Sequence, residues 1–279
     1  MCRLYGFRAN EPTKVECSLI HAQNALLLQS RSDMMGREHA DGWGLASYSD
    51  GDLEVEHRDT AAFEGIQFGV AVERIYAKTV IAHVRRATVG GASAVNTHPF
   101  RYGRWTFAHN GTVSGFDRLK DQMARETSSR LQAFRRGTTD SEQSFLWILT
   151  RMESDGLDPD SDSTDAAALA SVVGSAVRTL HDRSENLRPQ EPPRLNFLLT
   201  NGRVMVASRW NHTLYRLERD GVHDCEICGI PHVEHETKRR YRAVVIASEP
   251  ITHEAWQEVD DGTVVSIDED MAVAAHPIA

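Results

Sequence analysis

The chain has 279 residues, 41% of them hydrophobic and 25% charged, the balance of an ordinary soluble globular protein long enough to bury a sizeable core. Its 31 Lys and Arg against 40 Asp and Glu leave a net charge of −9, which argues against nucleic-acid and anionic-membrane partners, since both need a basic footprint. No window approaches the roughly 18 consecutive apolar residues of a spanning helix. The opening MCRLYGFRANEPTK holds no signal-peptide core, and 4 cysteines are too few for a disulfide scaffold, so a cytoplasmic protein is expected.

In chain order, Cys2, Leu4 and Gly6 alternate with Arg3, Tyr5 and Phe7, which predicts a short strand stopped by Pro12. Leu19 to Gln29 carries apolar residues at helical spacing and ends near Gly36. The glycine-rich HADGWGLASYSDGDLEVEH follows, its second half reading as two strands joined at Asp50-Gly51. Thr79 to Thr88 is a β-branched strand with Val80, Ala82 and Val84 on one face and Ile81, His83 and Arg85 on the other. A loop with Gly90, Gly91 and Pro99 leads to the strand WTFAH, ending at Asn110-Gly111.

After Asp140, the run Phe145, Ile148, Leu149, Met152 marks a helix, and acidic Asp155 to Asp165 a solvated loop. Leu169, Val172, Val173, Ala176, Val177 and Leu180 give a second amphipathic helix. Beyond the proline-rich Arg188 to Arg194 come NFLLT and VMVASRW, joined by Asn201-Gly202, then TLYRLERD, YRAVVIAS and TVVSID. The turns are too short for crossover helices, so antiparallel pairing is expected. The fold class is therefore α+β, two mainly antiparallel sheets with helices outside, and residues 1–279 read as one domain.

Position 2 carries the sharpest chemical feature. If an aminopeptidase removes Met1, Cys2 bears both a thiol and an α-amine whose pKa of roughly 7.7–8.0 leaves part of it neutral near pH 7. That amine can take the thiol proton, so nucleophile and base share one residue. With Met1 attached, the nitrogen is an amide and the built-in base is gone. On position alone, Cys2 also reads as a small apolar residue opening a strand.

Cys2 is followed, in order, by HVRRAT (His83 to Thr88), NTHPF (Asn96 to Phe100), HNG (His109 to Gly111) and TDSE (Thr139 to Glu142). Together these resemble the class-II glutamine amidotransferases, which are N-terminal-nucleophile hydrolases. MCRLYGF, HADGWGL and AHNGTVSGF are similar to the stand-alone YafJ-type subgroup, and the resemblance spans most of residues 1–150. Further on it rests on strand pattern and on ASEPITHEAWQ (Ala247 to Gln257).

The resemblance implies a four-layer αββα sandwich. It implies that Cys2 attacks the δ-carbonyl of a glutamine-like side chain to form a γ-glutamyl thioester, its amine passing the proton to departing ammonia. Asn110 and the Gly111 N–H would form the oxyanion hole, each donor worth about 3–4 kcal/mol, with glycine allowing close approach and an unusual backbone angle. Arg85 would grip the α-carboxylate, Asp140 the α-ammonium, and Thr88 would help hold the substrate. Standing alone, Asn110-Gly111 also reads as a hairpin turn, Arg85 as a strand-end charge and Asp140 as a helix cap ahead of Glu142. Val89 stands where ammonia-channelling synthases of this class place histidine. Asp41, Trp43 and Gly44 are expected at the pocket mouth, although an aromatic beside glycines also reads as plain core, and His83, His98 and His109 are expected as packing and hydrogen-bonding residues.

HDCEICGIPHVEH (His223 to His235) presents Cys225, Cys228, His232 and His235. Two thiolates and two imidazoles suit tetrahedral zinc in a closed, structural shell, here as an insertion over 223–235. The plainer alternative is a surface loop with incidental histidines, and Cys17 is expected to be buried and without company. KRRYR (Lys238 to Arg242) reads as a solvated strand edge. No cofactor is expected for catalysis.

The multidomain members continue into a synthase domain where this chain ends at Ala279, so the expected activity is a stand-alone amidohydrolase acting on glutamine or a γ-glutamyl compound. The alternatives are a glutaminase subunit feeding ammonia to a separate synthase, and a non-catalytic, metal-stapled binding module. A homodimer or a synthase are the protein partners the reading admits.

Overall fold

The N-terminal half supplies strands β1 (Arg3–Lys14), β2 (Trp43–Ser49), β3 (Asp52–Arg58), β4 (Tyr76–Val84), β5 (Phe100–Tyr102) and β6 (Trp105–Thr112). The C-terminal half supplies β7 (Arg194–Thr200), β8 (Met205–Arg209), β9 (Tyr215–Asp220), β10 (Arg242–Ala247), β11 (Gln257–Glu258), β12 (Thr263–Ile267) and β13 (Val273–Pro277). The helices are α1 (Leu26–Arg31), α2 (Gln67–Glu73), α3 (Phe116–Glu126), α4 (Ser129–Gln132), α5 (Asp140–Ser154) and α6 (Ala166–Leu187). The computed structural model describes residues 2–49, 51–161, 163–233 and 240–279. The Asp50 half of the first predicted hairpin turn lies outside them.

The strands form a seven-stranded sheet, β11-β9-β10-β1-β4-β2-β3, and a six-stranded sheet, β13-β12-β8-β7-β6-β5, antiparallel throughout. Strand alternation explains the layers. Leu4, Ile81, Ala108, Leu198, Met205 and Val265 meet between the sheets. Tyr5, Phe7, Val80, Ala82 and Val84 point the other way, into a core shared with α1 and α2. Phe107, Phe145, Val173 and Phe197 fill a third core under α3, α5 and α6. The result is the expected order of helices, sheet, sheet, helices.

Five local expectations are corrected. β1 does not stop at Pro12, because its pairing with β4 shifts register between Arg8 and Thr13 and the proline falls in that irregularity, where no ladder N–H is required. The Leu19–Gln29 helix is broken into one wide turn, Cys17–His21, and the short α1, with Ala22 extended at ψ 160°. Tertiary bonds account for the break: the Asn24 N–H donates to Ile251 O and its side chain to Pro250 O. Asn110-Gly111 is not a turn but lies inside β6, and β4 ends at Val84 rather than Thr88. Both helices after residue 139 form where expected, although Thr139, not Asp140, caps α5 by accepting from the Glu142 N–H.

Candidate active site

The same alternation that sends Tyr5 outward places Cys2 on the side facing the other sheet, where it is buried at 7% exposure. Its Sγ accepts from the Arg86 N–H at 3.4 Å and lies 3.6 Å from the Arg86 carbonyl. That backbone is held by Asp41, whose carboxylate accepts from the Ala87 N–H at 2.8 Å while its own N–H donates to Arg85 O. Burial pushes the thiol's pKa up; the Arg86 N–H and the Arg85 charge pull it down, and Asp140 pushes it up, so both charges act on the sulfur. Among the described residues no histidine hydrogen-bonds Sγ.

Arg85 follows β4 on the intersheet side and is 2% exposed. Its Nη1 and Nη2 donate to the carbonyls of Val89, Gly90 and Gly91, and no carboxylate of the described residues pairs with it. A buried guanidinium without an anion is costly, and its remaining donors suit one. Asp140, first residue of α5, accepts from the Val113 N–H at 2.8 Å and from the Ser141 N–H and hydroxyl. A carboxylate offers about four lone pairs, so one direction stays open.

Asn110 shares the inner face of β6 with Ala108 and is fully buried; its Nδ2 donates to Ser248 Oγ at 2.9 Å, and its Oδ1 has no partner. Ser248 Oγ also accepts from the Leu4 N–H, two residues from the thiol. Gly111 is demanded by close approach: a Cβ there would lie 1.9 Å from Arg194 O. Its φ is not in the left-handed region, so the unusual backbone angle is not part of the explanation. Thr88 is exposed and shares a hydrogen bond with Thr112 at the end of β6.

Trp43 is not brought to this group. It packs edge-on against Phe68 in the outer core, on the far side of the sheet. His109 is held between the Ser141 hydroxyl and Arg194 O, whereas the His83 and His98 rings lie 4.2 Å apart at a tilt of 37° and their ring nitrogens have no hydrogen-bond partner among the described residues. Burial holds both well below the usual imidazole pKa.

Sequence reasoning missed what lies directly behind the thiol. Arg3 donates from Nη1 to the Cys2 carbonyl and from Nε to Glu249, and its Nη2 lies 2.5 Å from an Asp33 oxygen, all of it buried. His39 meets the same Asp33 oxygen at 3.2 Å. The adjacent pair Ser248-Glu249 thus ties Asn110 of one sheet to Arg3 and Leu4 of β1 in the other. Its only sequence signal was the ASEP start of the C-terminal segment noted above.

Burial, with Arg3 next, lowers the His39 pKa to about 4 and that of His212 to about 3. A histidine buried neutral binds its proton more weakly folded than unfolded. Its contribution is therefore complete above the unfolded value of about 6.5 and is lost as pH falls through the folded value, about 4 for His39 and about 3 for His212. Urea unfolding is expected to show about 3 kcal/mol of acid destabilisation from His39 and about 5 kcal/mol from His212. His212→Asn should flatten the fall by its share; an unchanged pH profile in that variant contradicts the assignment.

A cleft of about 550 Å³ lies elsewhere, against β9 and the following loop, and none of the residues around Cys2 lines it. On its wall the predicted metal set is rearranged. Cys225, Cys228 and His232 come together with Cys17, all ligating atoms within 4.8 Å of one another. His235 lies outside the described residues, and Cys17, expected to stand alone, does not.

Residues 1–277 match the family described as glutamine amidotransferases class-II, and the chain belongs to that family. It is 30% identical to YafJ of Escherichia coli over 275 residues, covering 94% of this chain and 95% of that one. It is 26% identical over 289 residues to the gamma-glutamyl-hercynylcysteine sulfoxide hydrolase of Mycolicibacterium smegmatis, covering 100% of both. A Pseudomonas aeruginosa crystal structure described as a predicted glutamine amidotransferase superposes with a TM-score of 0.62 at 25% identity, covering 99% of this chain and 100% of that one. Among the described residues no helix is long and apolar enough to cross a membrane.

Proposed function

We propose that residues 1–279 work as one stand-alone amidohydrolase domain, in which Cys2, freed of Met1, cleaves the γ-amide of glutamine or of a γ-glutamyl compound. The observation that carries this reading is the convergence of Cys2, Arg85 and Asn110 on the facing surfaces of two sheets, with the charges of Arg85 and Asp140 both felt at the thiol. A positive and a negative anchor at one end and a nucleophile at the other measure out a γ-glutamyl group. The hydrolase relative, named for such a substrate, favours a γ-glutamyl compound.

In the proposed reaction, the Cys2 α-amine takes the thiol proton as Sγ bonds the δ-carbon and the carbonyl oxygen gains the negative charge. Burial pushes the thiol's pKa up, which suits proton removal by the adjoining amine in step with attack. A half-turn of the Asn110 amide lets the Ser248 hydroxyl donate to the orphaned Oδ1 and turns Nδ2 toward the oxyanion, beside the Gly111 N–H. Collapse breaks the C–N bond, and the ammonium formed on Cys2 returns its proton to the departing amine. Water then splits the thioester, releasing the glutamyl carboxylate and regenerating the thiol.

The test is the intact mass of the purified protein before and after 6-diazo-5-oxo-L-norleucine, a glutamine analogue that alkylates such thiols. The expected result is a chain lacking Met1 that gains a single adduct, with no adduct in Cys2→Ala. A chain that keeps Met1, or loses it and stays unlabelled, overturns the reading.

A further inference from the structure

We propose that Cys17, Cys225, Cys228 and His232 form a tetrahedral zinc site that fastens the loop after β9 to the turn after β1. Zinc bonds of about 2.3 Å to sulfur and 2.0–2.1 Å to nitrogen set tetrahedral edges of about 3.5–3.8 Å. The four ligating atoms, within 4.8 Å of one another and with Cys228 Sγ and His232 Nε2 already 3.3 Å apart, need only slight adjustment to that size.

The backbone around the cysteines is shaped for a metal independently of those distances. The Ile227 N–H donates to Cys225 Sγ at 3.4 Å, stabilising a thiolate, and the Gly229 N–H closes the turn onto Cys225 O at 2.8 Å. Gly229 takes a left-handed φ of +74°, the conformation that reverses the chain directly after the second cysteine. The opposite pair is fixed from the N-terminal side: Lys14 at the end of β1 donates its N–H to His232 O at 3.0 Å, and Cys17 opens the next turn, buried.

Three thiolates and one imidazole are a soft, nitrogen-containing set that selects zinc over magnesium or calcium. With all four positions taken by protein there is no room for a reacting water, so the metal is structural. It holds one wall of the 550 Å³ cleft. None of its ligands touches the Cys2 group, so this site stands or falls separately from the proposed catalysis.

The test uses the full chain, produced without a polyhistidine tag and with zinc in the medium. Elemental analysis is expected to find about one zinc per chain in the parent and in His235→Ala. A several-fold loss is expected in Cys17→Ser and in Cys228→Ser, the latter at an exposed position where folding is not at issue. Cobalt(II) replacement should give thiolate-to-cobalt charge-transfer absorption. A chelator should lower the unfolding midpoint by several degrees while leaving Cys2 alkylation unchanged. The proposal is overturned by protein that takes up neither metal, by a Cys225–Cys228 disulfide in the freshly purified chain, or by zinc that survives Cys17→Ser and is lost in His235→Ala.

Discussion

Gly111→Ala is expected to destabilise the fold by about 3 kcal/mol and to abolish alkylation of Cys2 by the glutamine analogue. The added Cβ would sit 1.9 Å from Arg194 O, 2.6 Å from its carbonyl carbon and 2.6 Å from His109 Nε2. None of these can swing aside as a flexible side-chain tip does. Arg194 belongs to β7, in register with β6 through Asn110↔Asn196, Gly111↔Leu195 and Thr112↔Arg194, and His109 is anchored at both ring nitrogens. The strands must part at the residue that follows Asn110, so stability and chemistry fail together. Gly69→Ala is the control: it sits within α2 with nothing near its added Cβ, so helix propensity makes it neutral to stabilising by up to about 1 kcal/mol. Urea melts of both variants, read beside the labelling assay, decide the matter. An alanine at 111 that melts and labels like the parent contradicts the packing argument.

Arg3→Met is expected to cost about 3–5 kcal/mol, the usual penalty for removing one partner of a buried ion pair. Asp33 and Glu249 would keep their charges without the guanidinium that lies between them, at near-zero exposure. Asp33 retains the Met35 and Arg37 N–H groups, and Glu249 retains Asn24 and the Met34 N–H, so the carboxylates are not stripped bare. What they lose is the cation that pairs with both of them, together with the hydrogen bond to the Cys2 carbonyl. A loss below about 1 kcal/mol would place the cluster with weak surface pairs. Refilling the charge as Lys should recover only part of the loss, because one ammonium cannot reproduce the fork that reaches Asp33, Glu249 and the carbonyl at once.

What could be read from the chain was whatever a short window encodes. The two-residue period of Thr79 to Val84 sorted Val80, Ala82 and Val84 from Ile81 and His83, and the two sets do enter different layers. The apolar stripes of α5 and α6 were equally local. Features set by partners distant in sequence were not legible. Asn110-Gly111 carries the composition of a turn because β7 needs a glycine opposite it, not because the chain reverses. Trp43 looked like a pocket residue beside its glycines, but its side of β2 faces α2. Cys17 lies far along the chain from Cys225, Cys228 and His232; the fold brings the four together by laying the loop after β9 across the end of β1. Arg3 was visible as a residue and invisible as a hub, since Asp33, His39 and Glu249 meet it only in the folded chain. The two-residue β11 carried too little pattern to read. The apolar spacing of Phe116, Leu119 and Met123 in α3 was present in the sequence and passed over.

The strand that follows Cys2 lies between β4 and β10, and β10 is made only after the whole stretch from Lys14 to Arg242 has been synthesised. At roughly 5–20 residues per second, the chain between them takes on the order of 10–50 s to be made. For that interval the N-terminus has no finished sheet to enter, and an aminopeptidase has free access to it. Once β10 docks, the sheet beside the buried Cys2 is complete. If Met1 is removed as proposed above, the order of strands across the sheet therefore sets the period in which that removal meets an unfinished sheet. A slower ribosome lengthens that period.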